Sequence, residues 1–144
     1  MTNIKFVEIL LIEDNPGDAR LTREALKEGK VRNNLNHVTD GVEAMNFLHK
    51  KDNYANSPRP DLIILDINLP RKNGIEVLAE IKADENLKSI PVVILSISKA
   101  EEDIIKTYSL HANCYIIKPM DLIKLFEVVH SIESFWLTLV RLPD

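Results

Sequence analysis

Short apolar runs alternate along this chain with stretches whose apolar positions recur at helical spacing. Val7–Ile12, Leu35–Val38, Leu62–Leu65, Val92–Leu95 and Tyr115–Ile117 read as strands, the second of them the weakest. Near-continuous apolar runs mark strands buried on both faces. Helical stripes lie between them. Asn15 and Pro16 supply a cap and a first-turn proline ahead of Ala19–Lys27, which carries Leu21, Ala25 and Leu26 and stops at Gly29. A second stripe, after Asp40 and Gly41, holds Val42, Met45, Phe47 and Leu48. Gly74–Ala83 turns Ile75, Leu78 and Ile81 one way, and Lys99–Leu110 predicts a helix with Ile104, Ile105 and Tyr108 inward. The last helix opens near Asp121 and carries Leu122, Leu125, Phe126, Val129 and Ile132. Lys50–Pro60 has no period and reads as a polar, proline-bearing loop. Five strands alternating with five helices predict right-handed crossovers and a doubly wound α/β fold, a parallel sheet covered on both faces.

The strand ends carry the chemistry. The first run closes on Glu13 and Asp14, the third on Asp66, the fourth on Ser96 and the fifth on Lys118. In an open parallel sheet the C-terminal strand ends lie side by side and ligands bind in the crevice outside them. Residues spread over the chain therefore converge: three carboxylates, a hydroxyl and an ammonium. Carboxylates so close repel unless a divalent cation and a lysine offset them. That set suits an aspartyl phosphate formed with Mg²⁺.

Each residue alone has a plainer reading. Asp66 follows a run too apolar to hold a charge inside it, so it can face the crevice as a nucleophile, but it could equally open an ordinary loop. One acid of the Glu13–Asp14 pair could merely favour the following helix N-terminus. Ser96 could be a turn serine and Lys118 a turn lysine ahead of Pro119. Asn68 falls where a loop carbonyl could add a metal ligand. The joint reading prevails because all of them fall at one sheet edge.

Composition narrows the class. With 144 residues, 45% hydrophobic and 28% charged, the chain is expected to form one domain, residues 1–144, with a core over about 5–133. A net charge of -4 argues against nucleic acid or an anionic membrane as partner. The four histidines lack metal-ligand spacing, and a single Cys114 excludes an internal disulfide and fits a reducing compartment. No run reaches the ~20 apolar residues of a membrane span. The first apolar run is broken by Glu8 and reads as a strand rather than a signal peptide, so a cytoplasmic protein is expected.

The segments IEDN (12–15), LDINLPRKNG (65–74), LSIS (95–98) and CYIIKP (114–119) together resemble the receiver domains of two-component response regulators. The resemblance implies the flavodoxin-like strand order 2-1-3-4-5. It also implies that Asp66 accepts a phosphoryl group from a histidine kinase or a phosphotransfer protein. Mg²⁺ would be held by Glu13, Asp14, Asp66 and the Asn68 backbone carbonyl. Ser96 and Tyr115 match the switch pair, and Lys118 the phosphate-pairing lysine, which in such domains precedes a cis proline, here Pro119. YANSPRPDLIILDINLP and SIESFWLTLVRLP look like the small regulators paired with phytochrome-type kinases. One departure stands out: Ile97 is bulky where the family is small, which is expected to narrow access to the phosphoryl group and slow its loss.

Output by docking is expected, through the face of the fourth helix, fifth strand and fifth helix. Beyond its inward stripe the last helix adds Phe135, Trp136, Leu137, Leu139 and Val140, so residues 134–144 are either an interface, with a homodimer expected, or a tail folded onto the domain's own core. Other classes compete. A flavin-binding carrier would need a phosphate-cradling first loop, where Glu13 and Asp14 have the wrong sign. An Mg²⁺-dependent aspartyl phosphatase carries a second aspartate where Asn68 stands. A receiver-like adaptor would work without phosphorylation.

Overall fold

The computed structural model describes residues 6–29 and 32–139; Val140 and the rest of the tail lie outside the described residues. Five parallel strands form one sheet in the order β2-β1-β3-β4-β5: β1 Val7–Ile12, β2 Asn33–Val38, β3 Leu62–Leu65, β4 Val92–Ser96 and β5 Cys114–Ile117. The helices are α1 Pro16–Lys27, α2 Gly41–Leu48, α3 Gly74–Ala83, α4 Glu101–Ser109 and α5 Leu122–Ile132. Two elements go beyond the five-and-five pattern. A 3₁₀ turn, Asp52–Tyr54, interrupts the polar loop, and α5 continues as a π-helical segment, Glu133–Leu139.

The period of two along each central strand divides the core. Leu10, Ile12, Ile63, Leu65, Val92 and Ile94 point to one face and pack with Ala44, Phe47, Val77, Leu78 and Ile81 of α2 and α3. Ile9, Leu11, Leu62, Ile64, Val93 and Leu95 point to the other, against Ala25 and Leu26 of α1 and Leu125, Val129 and Ile132 of α5. Strands buried twice over explain why the runs are apolar throughout.

Sequence spacing misassigned some inward positions. In α4 only Thr107 is buried, while Ile105 and Tyr108 stand exposed. Tyr108 instead spends its hydroxyl on the edge strand, accepting the Tyr115 N–H at 3.1 Å. Leu122 also faces solvent, in the first turn of α5. Gly29 ends α1 without a left-handed conformation; the side chain of Glu133 lies where its Cβ would go. The tail divides between its two readings: Trp136 packs on the α1/α5 core, while Phe135 is more than half exposed.

Gly74 carries a tight demand on the chain just after β3. It opens α3 under a capping box made by Asn73 and Glu76, and its N–H donates to the Ile67 carbonyl at 2.8 Å. A Cβ on Gly74 would lie 2.2 Å from the Asp66 carbonyl oxygen and 2.6 Å from Ile67 Cα. Backbone cannot yield there as a flexible side chain would. Gly74→Ala should therefore lower unfolding free energy by about 2 kcal/mol or more. Urea denaturation measures it; a midpoint equal to that of the wild type would show that the helix can back away from β3.

Candidate functional site

The sheet ladder does not stop where the strands do. The Glu13 N–H donates to the Val38 carbonyl at 3.1 Å, the Asp66 N–H to the Ile12 carbonyl at 3.0 Å, and the Lys118 N–H to the Ser96 carbonyl at 2.7 Å. Each polar residue is thus pinned one step beyond its strand at the C-terminal rim; Glu13 and Asp66 flank the point where strand order reverses between β1 and β3, and Lys118 follows the edge strand β5. The His37 ring N–H donates to the Glu13 carbonyl at 2.7 Å, fixing that corner from β2.

Lys118 sits at the centre of the acids. Its Nζ donates to Glu13 Oε1 at 2.6 Å, Asp18 Oδ2 at 2.9 Å and Asp66 Oδ2 at 3.1 Å, and the lysine, Glu13 and Asp66 are all buried. Burial disfavours the charge on Lys118, but hydrogen bonds to Glu13 and Asp18 outweigh it and hold the ammonium well above its ordinary range. Glu13 moves the other way from a typical acid. Burial, with the charge of Asp66 adding to it, raises its pKa to about 7 against the partial relief that Lys118 gives. One ammonium does not neutralise the group.

The carboxylates fit a cation. Oxygen atoms of Glu13, Asp14 and Asp66 come within 4.8 Å of one another, two of the residues buried and Asp14 open to solvent. Hard oxygen donors with an open side suit Mg²⁺ or a similar ion, which keeps waters and substrate oxygens among its ligands. The Asn68 N–H donates to Asp66 Oδ1 at 3.1 Å, closing a turn after the aspartate.

The loop carrying Asn68 is tied down beyond it. Arg71 adopts a left-handed φ of 67°, rare for a side chain of its kind, and its guanidinium lies 3.2 Å from Asp40 and 3.8 Å from Glu43. Asp40 caps α2, accepting from the Glu43 N–H at 2.8 Å, and Tyr54 donates its hydroxyl to Glu43 at 2.6 Å. Gly41 lets α2 approach the same loop, since a Cβ there would meet the Lys72 carbonyl.

On the opposite side Ser96 is fully buried, and its Oγ accepts the Ser98 N–H at 3.3 Å. The Tyr115 hydroxyl donates to the Ser98 carbonyl at 2.8 Å, and the Ser98 hydroxyl donates to Asp103 at 2.6 Å. Ile97 points outward and is exposed. The Lys118–Pro119 bond is trans, as are all peptide bonds among the described residues, which corrects the cis bond that the resemblance implied. The tertiary amide favours trans by about 0.5–1 kcal/mol, and the lysine reaches its acids without the rarer isomer.

The structure brings Glu13, Asp14, Asp66 and Lys118 together, and with them two residues to which the sequence reading gave no role. They are Asp18, in the first turn of α1, and His37, in β2. The one signal for Asp18 was its position a turn beyond Glu13, on the helix that follows the acidic pair.

The chain belongs to the response regulator receiver domain family, whose model matches residues 9–130. It is 53% identical over 135 residues to the response regulator Rcp1 of Synechocystis sp., covering 94% of this chain and 92% of that protein. The chemotaxis protein CheY-3 of Vibrio cholerae is 31% identical over 128 residues, covering 89% of this chain and 92% of CheY-3. Among solved structures, the phosphorylated cyanobacterial phytochrome response regulator RcpA superposes with a TM-score of 0.95 at 52% identity, over 97% of this chain and 100% of its own. The Mn²⁺-bound form of the response regulator Rcp1 gives 0.93 at 51% identity, over 96% and 99%. The protein is a two-component response regulator of the receiver type, a family that accepts phosphoryl groups from histidine kinases and binds a divalent metal.

The raised Glu13 pKa has a pH consequence. Its ordinary value is 4.5 and its value in the folded protein about 7, so between these the folded state holds a proton that the unfolded chain has lost. Metal-free stability should fall as pH rises through that window. A divalent cation competes with the same proton, so Mg²⁺ affinity should rise over the same window. Thermal unfolding at pH 5, 6 and 7.5, with and without Mg²⁺, reads both; a stabilisation by Mg²⁺ that does not grow with pH would contradict the assignment.

Proposed function

We propose that Asp66 is the phosphoacceptor of a stand-alone receiver spanning residues 1–144. The observation that carries this is the buried Lys118 ammonium held between Glu13 and Asp66, with Asp14 beside them and the rim open. In the reaction a carboxylate oxygen of Asp66 bonds to phosphorus. The bond from phosphorus to the donor breaks, and the donor departs with that electron pair. Lys118 orients the attacking carboxylate and faces the developing negative charge on the phosphoryl oxygens. Glu13, Asp14, Asp66 and the Asn68 backbone carbonyl are the residues that would hold Mg²⁺, which supplies further positive charge against those oxygens. The protein turns over no substrate of its own beyond this transfer and the later loss of the phosphoryl group.

The phosphoryl group adds nearly two charges and strong acceptor oxygens. Ser96 turns its hydroxyl toward them and gives up the Ser98 N–H; Tyr115, bonded to the Ser98 carbonyl, follows the loop. The phosphate biases this rearrangement only as far as it binds one arrangement better. The donor is a histidine kinase of the phytochrome type, or a phosphotransfer protein, a reading supported by similarity to the phytochrome response regulator RcpA. Neither nucleic acid nor a membrane is a partner. Among the described residues no helix is long and apolar enough to cross a membrane, and the setting proposed is cytoplasmic.

Incubation with Mg²⁺ and acetyl phosphate, followed by intact mass, tests the assignment. Wild type should gain one phosphate, Asp66→Asn none, and Ile97→Ala should gain it but lose it sooner, because Ile97 shields the acyl phosphate from water. Labelling of Asp66→Asn would move the site elsewhere, and an unchanged decay in Ile97→Ala would remove the shielding role.

A homodimer is the second element of this reading, formed through the face of α4, β5 and α5 or through the tail. A cavity of about 800 Å³ supports it, bordered by Cys114, Ile116, Val128, Phe135 and Trp136. Light scattering before and after phosphorylation should show a mass increase in wild type and a weaker one in Phe135→Ser. A monomer in both states at high concentration would count against this surface.

A further inference from the structure

The proposed mechanism uses Lys118 but gives no role to the third acid that the lysine touches. We infer that Asp18 is a positioning residue: it holds the Lys118 ammonium beside Asp66 in the unphosphorylated protein, and it is the partner the ammonium gives up when a phosphoryl oxygen arrives. The inference rests on the phosphoacceptor role of Asp66.

An ammonium has three N–H donors and no acceptor. Lys118 Nζ has three carboxylate partners, Glu13 Oε1 at 2.6 Å, Asp18 Oδ2 at 2.9 Å and Asp66 Oδ2 at 3.1 Å, so every donor is taken. A phosphoryl oxygen can be bonded only if one carboxylate is released. The cheapest to release is the one that water can reach. The Asp18 side chain is 19% exposed, against 3% for Glu13 and 6% for Asp66. A released Glu13 would be left as a buried acid with no counter-charge and only the Asn15 N–H, at 3.2 Å, as partner, which is more costly.

Asp18 is also built to survive release. It stands in the first turn of α1, where the positive end of the helix favours an anion even without the lysine. Its backbone is anchored independently of its carboxylate. The Asp18 N–H donates to Asn15 Oδ1 at 3.0 Å, and its carbonyl accepts the Thr22 hydroxyl at 2.8 Å, with Thr22 buried beneath the helix. The side chain can therefore change partners while the backbone stays in place. Asn15, Pro16 and Gly17 bring the helix start close enough to the rim for this reach.

Removing the charge at this position should free one Lys118 donor in advance. With saturating Mg²⁺ and acetyl phosphate, Asp18→Asn should become phosphorylated faster than wild type by up to about fivefold, the upper end for one partly exposed ion pair. The gain should vanish in the Lys118→Ala background, because Asp18 acts through that ammonium. Thermal unfolding confirms that the variants are folded, and Asp18→Ser serves if the asparagine variant is not. An Asp18→Asn rate equal to or slower than wild type with Lys118 intact overturns the inference, as does an equal gain with and without Lys118, which would mean simple charge repulsion. Failure of wild type to take phosphate on Asp66 would sink the phosphoacceptor assignment itself, and this inference with it.

Discussion

A single buried ammonium decides what the rim of this sheet can be. Glu13 and Asp66 are buried acids placed by ladder bonds that no side chain can renegotiate, and without Lys118 they would face each other with no counter-charge. Buried ion clusters of this kind are weak contributors to stability, since desolvation consumes most of the attraction. Their value here is geometric. The lysine and the acids hold one another at distances that suit a cation and a phosphoryl group, and gathering several acids around one ammonium leaves a site that a divalent ion can occupy in place of a proton.

Much of the fold could be read from the chain, because the strands are buried on two faces. Leu62–Leu65 and Gly74–Ala83 have the bounds the pattern predicted, and the C-terminal strand ends converge as expected. Errors gathered where one face is solvent. The α4 stripe looked amphipathic, yet Ile105 and Tyr108 face outward, because a helix at the sheet's edge has little core beneath it. Asp18 escaped for a different reason. A carboxylate in a first helical turn has a local explanation that needs no distant partner, and the Lys118 partner is a hundred residues away. His37 was missed because its role is to a backbone carbonyl, which no side-chain pattern records.

The tail sets two neighbouring aromatics in opposite surroundings. Trp136 and Phe135 are neighbours, yet the π-helical register turns one onto the α1/α5 core and leaves the other in solvent. A widened helical turn changes which residues share a face, so a stripe extrapolated from α5 cannot be carried past Ile132.

The two loops flanking Asp66 differ in mechanical character. The loop after β3 is clamped to α2 by the Arg71 guanidinium and by the close approach at Gly41, and the start of α3 is held against it by Gly74 at the Asp66 carbonyl. The loop after β4 hangs on single hydroxyl bonds from Ser98 and Tyr115 and leads into a helix that buries only Thr107. Strain introduced at the aspartate meets a wall on one side and a hinge on the other. Motion is therefore channelled toward α4, and stiffness at one edge gives the signal its direction.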